Sequence, residues 1–236
     1  MLLGFMFFWD PYWWVMIPGM LLAFWAQMRL SSTYNRYREV AIDRRITGAE
    51  AAREILDRNG LHSVEVYEVP GHLTDHYDPL KKAVFLSSEI FHTPSVAAVG
   101  VAAHEVGHAL QHKEAYGPLG LRMALVGVTN FASQASTWII IGGMILGGTL
   151  SGKIIWAGVA LFSIVAFFQL VTLPVEYNAS SRAKSQLLRL GLVTNREIAD
   201  VDRVLGAAAL TYVAALVNAL LQLLKLVMLA RSRDDR

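Results

Sequence analysis

The chain has 236 residues and no cysteine; 54% of its residues are hydrophobic and only 17% are charged. That charged share is well below the ~25% of an ordinary soluble domain and points to a membrane protein, while the lack of cysteine excludes disulfides and thiolate metal sites. A formal net charge of +2, with no basic run interleaved with aromatics, leaves nucleic acid out of the expected partners.

The first apolar stretch is aromatic-rich, with Phe5, Phe7, Phe8, Trp9, Tyr12, Trp13 and Trp14 leading into Leu21, Leu22, Trp25 and Met28. Residues 12–28 carry almost no charge and, with their flanks, approach the ~20 residues of a spanning helix. The Trp/Tyr cluster beside Asp10-Pro11 suits an interfacial belt. A signal peptide would show a positive n-region and an A-x-A site after the apolar run; neither is present, so residues 1–30 read as a retained anchor. Arg29, Arg36, Arg38, Arg44 and Arg45 follow, and the positive-inside bias puts their side in the cytoplasm.

Residues 31–118 read as a cytoplasmic part with a small sheet. Thr47-Gly48-Ala49-Glu50 is a capping box opening a short helix with Ala52, Ile55 and Leu56 on its apolar face and Gly60 as its stop. Val64, Val66 and Val69 form an interrupted alternation that ends at Pro70 and reads as a strand, residues 71–79 form a polar loop punctuated by Asp and Pro, and residues 83–88 form a second strand. Thr93-Pro94 then reads as an N-cap followed by a first-turn proline, and Gly117-Pro118 as the stop of the helix between.

That helix carries His104-Glu105-Val106-Gly107-His108, which reads H-E-x-x-H. Residues four apart share a helix face, so both imidazoles can reach one metal ion, with Glu105 one step round as a general base rather than a ligand. Alone, the motif is only moderately specific, because two ordinary histidines on a helix give the same letters.

Residues 121–150 and 154–173 read as a membrane hairpin turning at Ser151-Gly152-Lys153, so residues 119–173 form one transmembrane segment pair. Asn130, Gln134 and Thr137 lie at helical spacing, and this stripe is expected to face other helices as structural glue. Pro174 should kink the chain as it leaves the bilayer. Residues 174–204 turn polar, with Arg182, Lys184 and Arg189 on the arginine-rich side, Gly191 ending a helix, and Thr194 to Glu197 forming another capping box. Residues 205–236 carry a last apolar helix and a basic tail, with Thr211, Asn218, Gln222 and Lys225 along one stripe. Its length favours spanning, although Arg231, Arg233 and Arg236 would then lie outside, against the charge rule.

Two histidines need a third ligand. The metzincin pattern requires Gly and His where Gln111 and Glu114 stand, and no downstream aspartate (Asp200, Asp202, Asp234, Asp235) is followed by glycine, as the intramembrane site-two type requires. A glutamate from a second helix remains. Glu114 sits at the helix end and Glu197 belongs to its capping box, which leaves Glu176, where the third apolar span reaches the polar side. Its competing reading is an interfacial carboxylate paired with Arg182; a carboxylate at a helix exit is costly without a role, which favours ligation. His112 lies beyond the cluster.

The H-E-x-x-H motif, a membrane hairpin and then Glu176-Tyr177-Asn178-Ala179 together resemble the integral-membrane zinc peptidases of the HtpX and CAAX-protease type, which take their third ligand from an E-x-x-A motif. More closely, Leu73-Thr74-Asp75-His76-Tyr77-Asp78-Pro79, residues 174–179 and Ala207-Ala208-Ala209-Leu210-Thr211-Tyr212-Val213-Ala214 resemble the YugP-like membrane zinc metallopeptidases over nearly the whole chain. The resemblance implies a Zn2+ cofactor, a mainly α gluzincin-like fold with three or four transmembrane helices, and peptidase activity. HtpX-type enzymes usually place Asp four residues after the ligand Glu, as partner to a zinc histidine. Ser180 stands there in this chain, and Asp75, Asp78 and Asn178 are the alternatives for that role.

The expected protein is thus a multi-pass zinc metalloendopeptidase of the cell membrane, in a bacterial inner membrane with its active site facing the cytoplasm, acting on protein or peptide substrates. His104, His108 and Glu176 would hold zinc and Glu105 would act as the base. The strand at 83–88 would be the edge receiving an extended substrate, with Tyr212, His76 and Arg182 as candidate oxyanion donors. The rival is an inactive membrane scaffold with structural zinc, which has no use for a general base at Glu105.

Overall fold

The computed structural model describes residues 10–146 and 148–234. Phe5, Phe7, Phe8 and Trp9 of the expected anchor, and Asp235 and Arg236 of the tail, lie outside them. A 3-10 turn (Trp13–Met16) leads into α1 (Ile17–Tyr37), followed by α2 (Gly48–Arg58), β1 (Glu65–Val69), β2 (His76–Asp78), β3 (Ala83–Ser87) and α3 (Ser88–His92). Then come α4 (Val96–Lys113), α5 (Gly117–Leu146), α6 (Gly148–Arg189) and α7 (Glu197–Asp234). The protein is mainly helical with one small sheet, and its contacts group into two compact units.

The first unit takes the described residues up to Trp25, then Leu121–Leu173, and the chain from Tyr212 onward. Among the described residues three helices are long and apolar enough to cross a membrane: Gly117–Leu146, Leu150–Arg189 and Glu197–Asp234. α1 is not among them, so the span expected at the N-terminus is not carried by its described part alone. The core of this unit is Ile140, Ile155, Val159, Leu226, Leu229 and Ala230, while Phe131, Trp138, Ile145 and Leu146 stay exposed, as a lipid-facing surface requires. Polar groups find partners inside it: Asn218 donates to the Gly19 carbonyl (3.1 Å), and Lys225 pairs with Asp10 at 2.8 Å.

Two expectations for this unit are corrected. Ser151, Gly152 and Lys153 are helical and lie inside α6; Gly152 serves close packing instead, since a Cβ there would collide with the Asp234 carboxylate. Asn130, Gln134 and Thr137 are exposed, and α5 buries Thr129, Ala132, Ser136 and Ile140. Thr137 can face outward because its hydroxyl donates to the Ser133 carbonyl of its own helix (3.0 Å).

The second unit comprises Ala26–Gly120 and Pro174–Thr211. Its core surrounds α4, which buries Val96, Val99, Ala103, Val106 and Leu110 against Ile55 and Leu56 of α2, Leu86 of β3, and Ala183 and Leu187 of α6. The capping box at Thr47–Glu50 is formed, and so is the one at Thr194–Glu197. The sheet order is β1-β3-β2, with β1 parallel and β2 antiparallel to β3. Residues 83–87 are therefore the central strand, hydrogen-bonded on both sides, and cannot receive a substrate strand. The polar loop hides β2, whose His76, Tyr77 and Asp78 pair with Phe85, Val84 and Ala83.

α4 also starts and stops differently from the sequence expectation. Its N-cap is Ser95, whose hydroxyl accepts from the Ala98 N–H (3.2 Å), rather than Thr93. Pro94 lies in extended chain, where its carbonyl accepts from Ile42 N–H (3.1 Å) and Val96 N–H donates to Val40 (2.8 Å). At the other end Ala115 adopts φ 49°, with Ala115 N–H bonding His112 and Tyr116 N–H bonding Gln111, a Schellman closure. Gly117-Pro118 opens α5 instead of stopping α4. Pro174 lies inside α6, which ends at Arg189 before Gly191 at φ 63°.

Candidate metal centre

α4 runs through the most buried part of its unit, so a polar residue on its inward face must be paired. His104 and His108 stand one turn apart on it, their rings edge to face at 4.8 Å. α6 brings Glu176, 1% exposed, to the same point. The Glu176 Oε2 atom lies 3.2 Å from His104 Nε2 and 3.6 Å from His108 Nε2, and one ligand atom from each residue lies within 4.8 Å of the others. Gly107 permits this approach: a Cβ there would stand 2.5 Å from the Ala179 carbonyl oxygen, so any larger residue would push α6 away from α4.

The remaining ring nitrogens are held. His104 Nδ1 lies 3.1 Å from Ser180 Oγ, and His108 Nδ1 lies 3.0 Å from Gln111 Oε1. The fully buried Gln111 donates from Nε2 to the Val175 carbonyl (2.8 Å) and to Asn178 Oδ1 (3.0 Å). Asn178 Oδ1 also accepts from Arg182 Nε at 2.7 Å, and Arg182 pairs with Glu114 at 2.7 Å. Each amide is thereby oriented. With both Gln111 amide hydrogens spent on acceptors, its oxygen faces His108, so Nδ1 of that ring is the donor to Gln111 and Nε2 is the atom turned toward Glu176. Burial alone pushes the His108 imidazole down, but the Glu176 and Glu105 carboxylates outweigh it and raise it above the ordinary histidine range. Two imidazole nitrogens and a carboxylate oxygen converging in a buried, hydrogen-bonded pocket form a donor set that zinc accepts.

Other residues singled out from the sequence stand elsewhere. Asp75 accepts from the Ser87 N–H (2.7 Å) and hydroxyl, and Asp78 caps the Leu80 and Lys81 N–H groups; neither partners a histidine of the cluster. Asn178 acts one step back, on Gln111. The partners of the two histidines are Ser180 and Gln111. Gln111 could have been found from its i,i+3 spacing to His108 on the same helix. His112 Nδ1 lies 2.8 Å from the Tyr77 hydroxyl, Arg182 is engaged by Glu114 and Asn178, and His76 Nδ1 donates to the Thr74 carbonyl (2.8 Å). Tyr212 belongs to the other unit.

The family described as "Putative neutral zinc metallopeptidase" matches residues 12–231. The chain belongs to this family. It is also 49% identical over 220 residues, covering 93% of this chain and 96% of the relative, to the protein named "Putative membrane protease YugP" from Bacillus subtilis (strain 168). No solved structure matches. Membership makes zinc the metal of the family and supports a protease role, with peptides or proteins as the substrate class. The three long apolar helices associate the chain with a membrane.

Proposed function

We propose that the protein is a membrane-embedded zinc endopeptidase whose zinc is held by His104, His108 and Glu176, with Glu105 as general base and the active site facing the cytoplasm. The observation that carries this reading is the convergence of a buried carboxylate from α6 on the two Nε2 atoms of the H-E-x-x-H helix. Zinc, when bound, supplies the Lewis acidity that turns water into a nucleophile near neutral pH. The chain's own residues do the rest. The Glu105 side chain takes a proton from the attacking water and returns it to the departing amine nitrogen, so no net proton is consumed. Ser180 and Gln111 accept the Nδ1 protons of the two histidines and keep both rings in the ligating tautomer. The cytoplasmic assignment rests on Arg29, Arg36, Arg38, Arg44 and Arg45 after the first apolar stretch. By analogy, the relative named a membrane protease points to a bilayer setting for cleavage.

The test is Glu105→Gln in the full chain, assayed on an unfolded membrane-protein substrate. We expect one zinc retained and cleavage lost. Undiminished cleavage would remove Glu105 from the chemistry and favour a scaffold with structural zinc. The same variant, used as a trap for proteomic capture, identifies substrates.

A further inference from the structure

Two adjoining cavities in the second unit lie away from His104, His108 and Glu176. One, of about 460 Å³, is lined by Arg36, Tyr37, Arg196 and Arg203; the other, of about 420 Å³, shares Arg36, Tyr37 and Arg203 and adds Arg29, Ser32 and Thr33. A single carboxylate, Asp200, lines them against four guanidinium groups, and it is already bonded by the Tyr37 hydroxyl (3.0 Å) and Arg203. The buried Tyr37 also accepts from Arg203 (3.1 Å), which fixes that side chain while leaving 61% of it exposed. Among the described residues no carboxylate pairs with Arg29, Arg36 or Arg196.

Topology alone explains a surplus of arginine near a membrane, but it requires a count, not a convergence. Here arginines from α1 and from residues 196–203, some 160 residues apart by their numbers, line the same cavities together with the Thr33 hydroxyl. Their position in the chain is informative too. Arg29 directly follows the apolar residues 12–28, and Arg203 directly precedes the apolar stretch that starts at Leu205. Guanidinium forks match phosphate oxygens, and basic pockets at the ends of apolar helices suit phospholipid headgroups.

We propose that Arg29, Arg36, Arg196 and Arg203 form a binding site for a phosphate-bearing anion, supplied by an anionic phospholipid headgroup or by a soluble phosphate ester. The site does not depend on the peptidase reading. The full chain is placed in nanodiscs of mixed phosphatidylglycerol and phosphatidylcholine, and co-purifying lipid is counted by mass spectrometry. Glycerol 3-phosphate is titrated in a second arm against protein in neutral discs.

Wild-type protein should enrich phosphatidylglycerol, and R36Q/R203Q should lower that enrichment roughly fivefold per arginine, the weight of one cation at an anionic interface. R45Q/R58Q, which removes equal charge elsewhere, should not change it. Saturable glycerol 3-phosphate binding that R36Q/R203Q abolishes, without lipid enrichment, would support the site and assign the soluble ester. Equal losses from both double variants would reduce the effect to bulk charge and overturn the proposal, as would absence of binding in both arms. Should R36Q/R203Q not fold, R36K/R203K keeps the charge but loses the fork: weakened binding supports the site, and unchanged binding refutes it.

Discussion

Gln111 offers the sharpest test of the metal centre. Its Oε1 accepts from His108 Nδ1 at 3.0 Å, in a place where Gln111 is fully buried and His108 is 9% exposed. Gln111→Leu keeps the bulk but leaves the His108 N–H without an acceptor. A buried donor left unsatisfied costs about 1–3 kcal/mol, or roughly 5- to 150-fold in an equilibrium constant, and loss of an outer partner of a metal histidine costs about 10- to 100-fold in affinity. We therefore expect zinc to be held about 10- to 100-fold more weakly, measured by chelator competition on detergent-solubilised full chain. Gln111→Glu separates positioning from packing. It keeps an acceptor for His108 while losing the donors to Val175 and Asn178, so its zinc affinity should stay near wild type even if the metal-free form melts lower. A leucine variant that binds zinc within about twofold of wild type would refute the argument, as would a glutamate variant as weak as the leucine one.

Other expectations follow from the same geometry. Glu176→Ala should lose bound zinc on elemental analysis, and unchanged zinc content would exclude it as a ligand. Ser180→Ala removes the acceptor of His104 Nδ1 (3.1 Å) and should weaken zinc about tenfold, read by the same chelator competition, whereas Ser180→Asp should restore or exceed wild-type affinity. Gly107→Ala places a Cβ 2.5 Å from the Ala179 carbonyl oxygen, which is backbone and cannot swing aside. Thermal unfolding should show a loss of about 1–3 kcal/mol, with zinc affinity falling alongside; an unperturbed variant would mean that α4 and α6 do not need the close approach.

The reach of the sequence was set by distance along the chain. Both capping boxes, the Gly191 stop and the shared face of His104 and His108 depend on groups within one helical turn, so the letters alone determined them. Apolar length and charge marked the long helices for the same reason, and elimination among few carboxylates singled out Glu176. What tertiary structure decided is every pairing across elements. The strand at 83–87 became central because three residues of a polar loop paired with it, and Ser95 displaced Thr93 as a cap because residues 40–42 hold Pro94 extended. The buried face of α5 falls on Thr129, Ala132, Ser136 and Ile140 rather than on Asn130, Gln134 and Thr137, and Ser136 can be buried because its hydroxyl donates to the Ser133 carbonyl of its own helix (3.0 Å). The partners of the two histidines follow the same rule. Ser180 and Gln111 carry no charge and match no motif; Ser180 reaches His104 only because Gly107 lets α6 close against α4, and α6 supplies the Val175 and Asn178 acceptors that turn the Gln111 oxygen to His108.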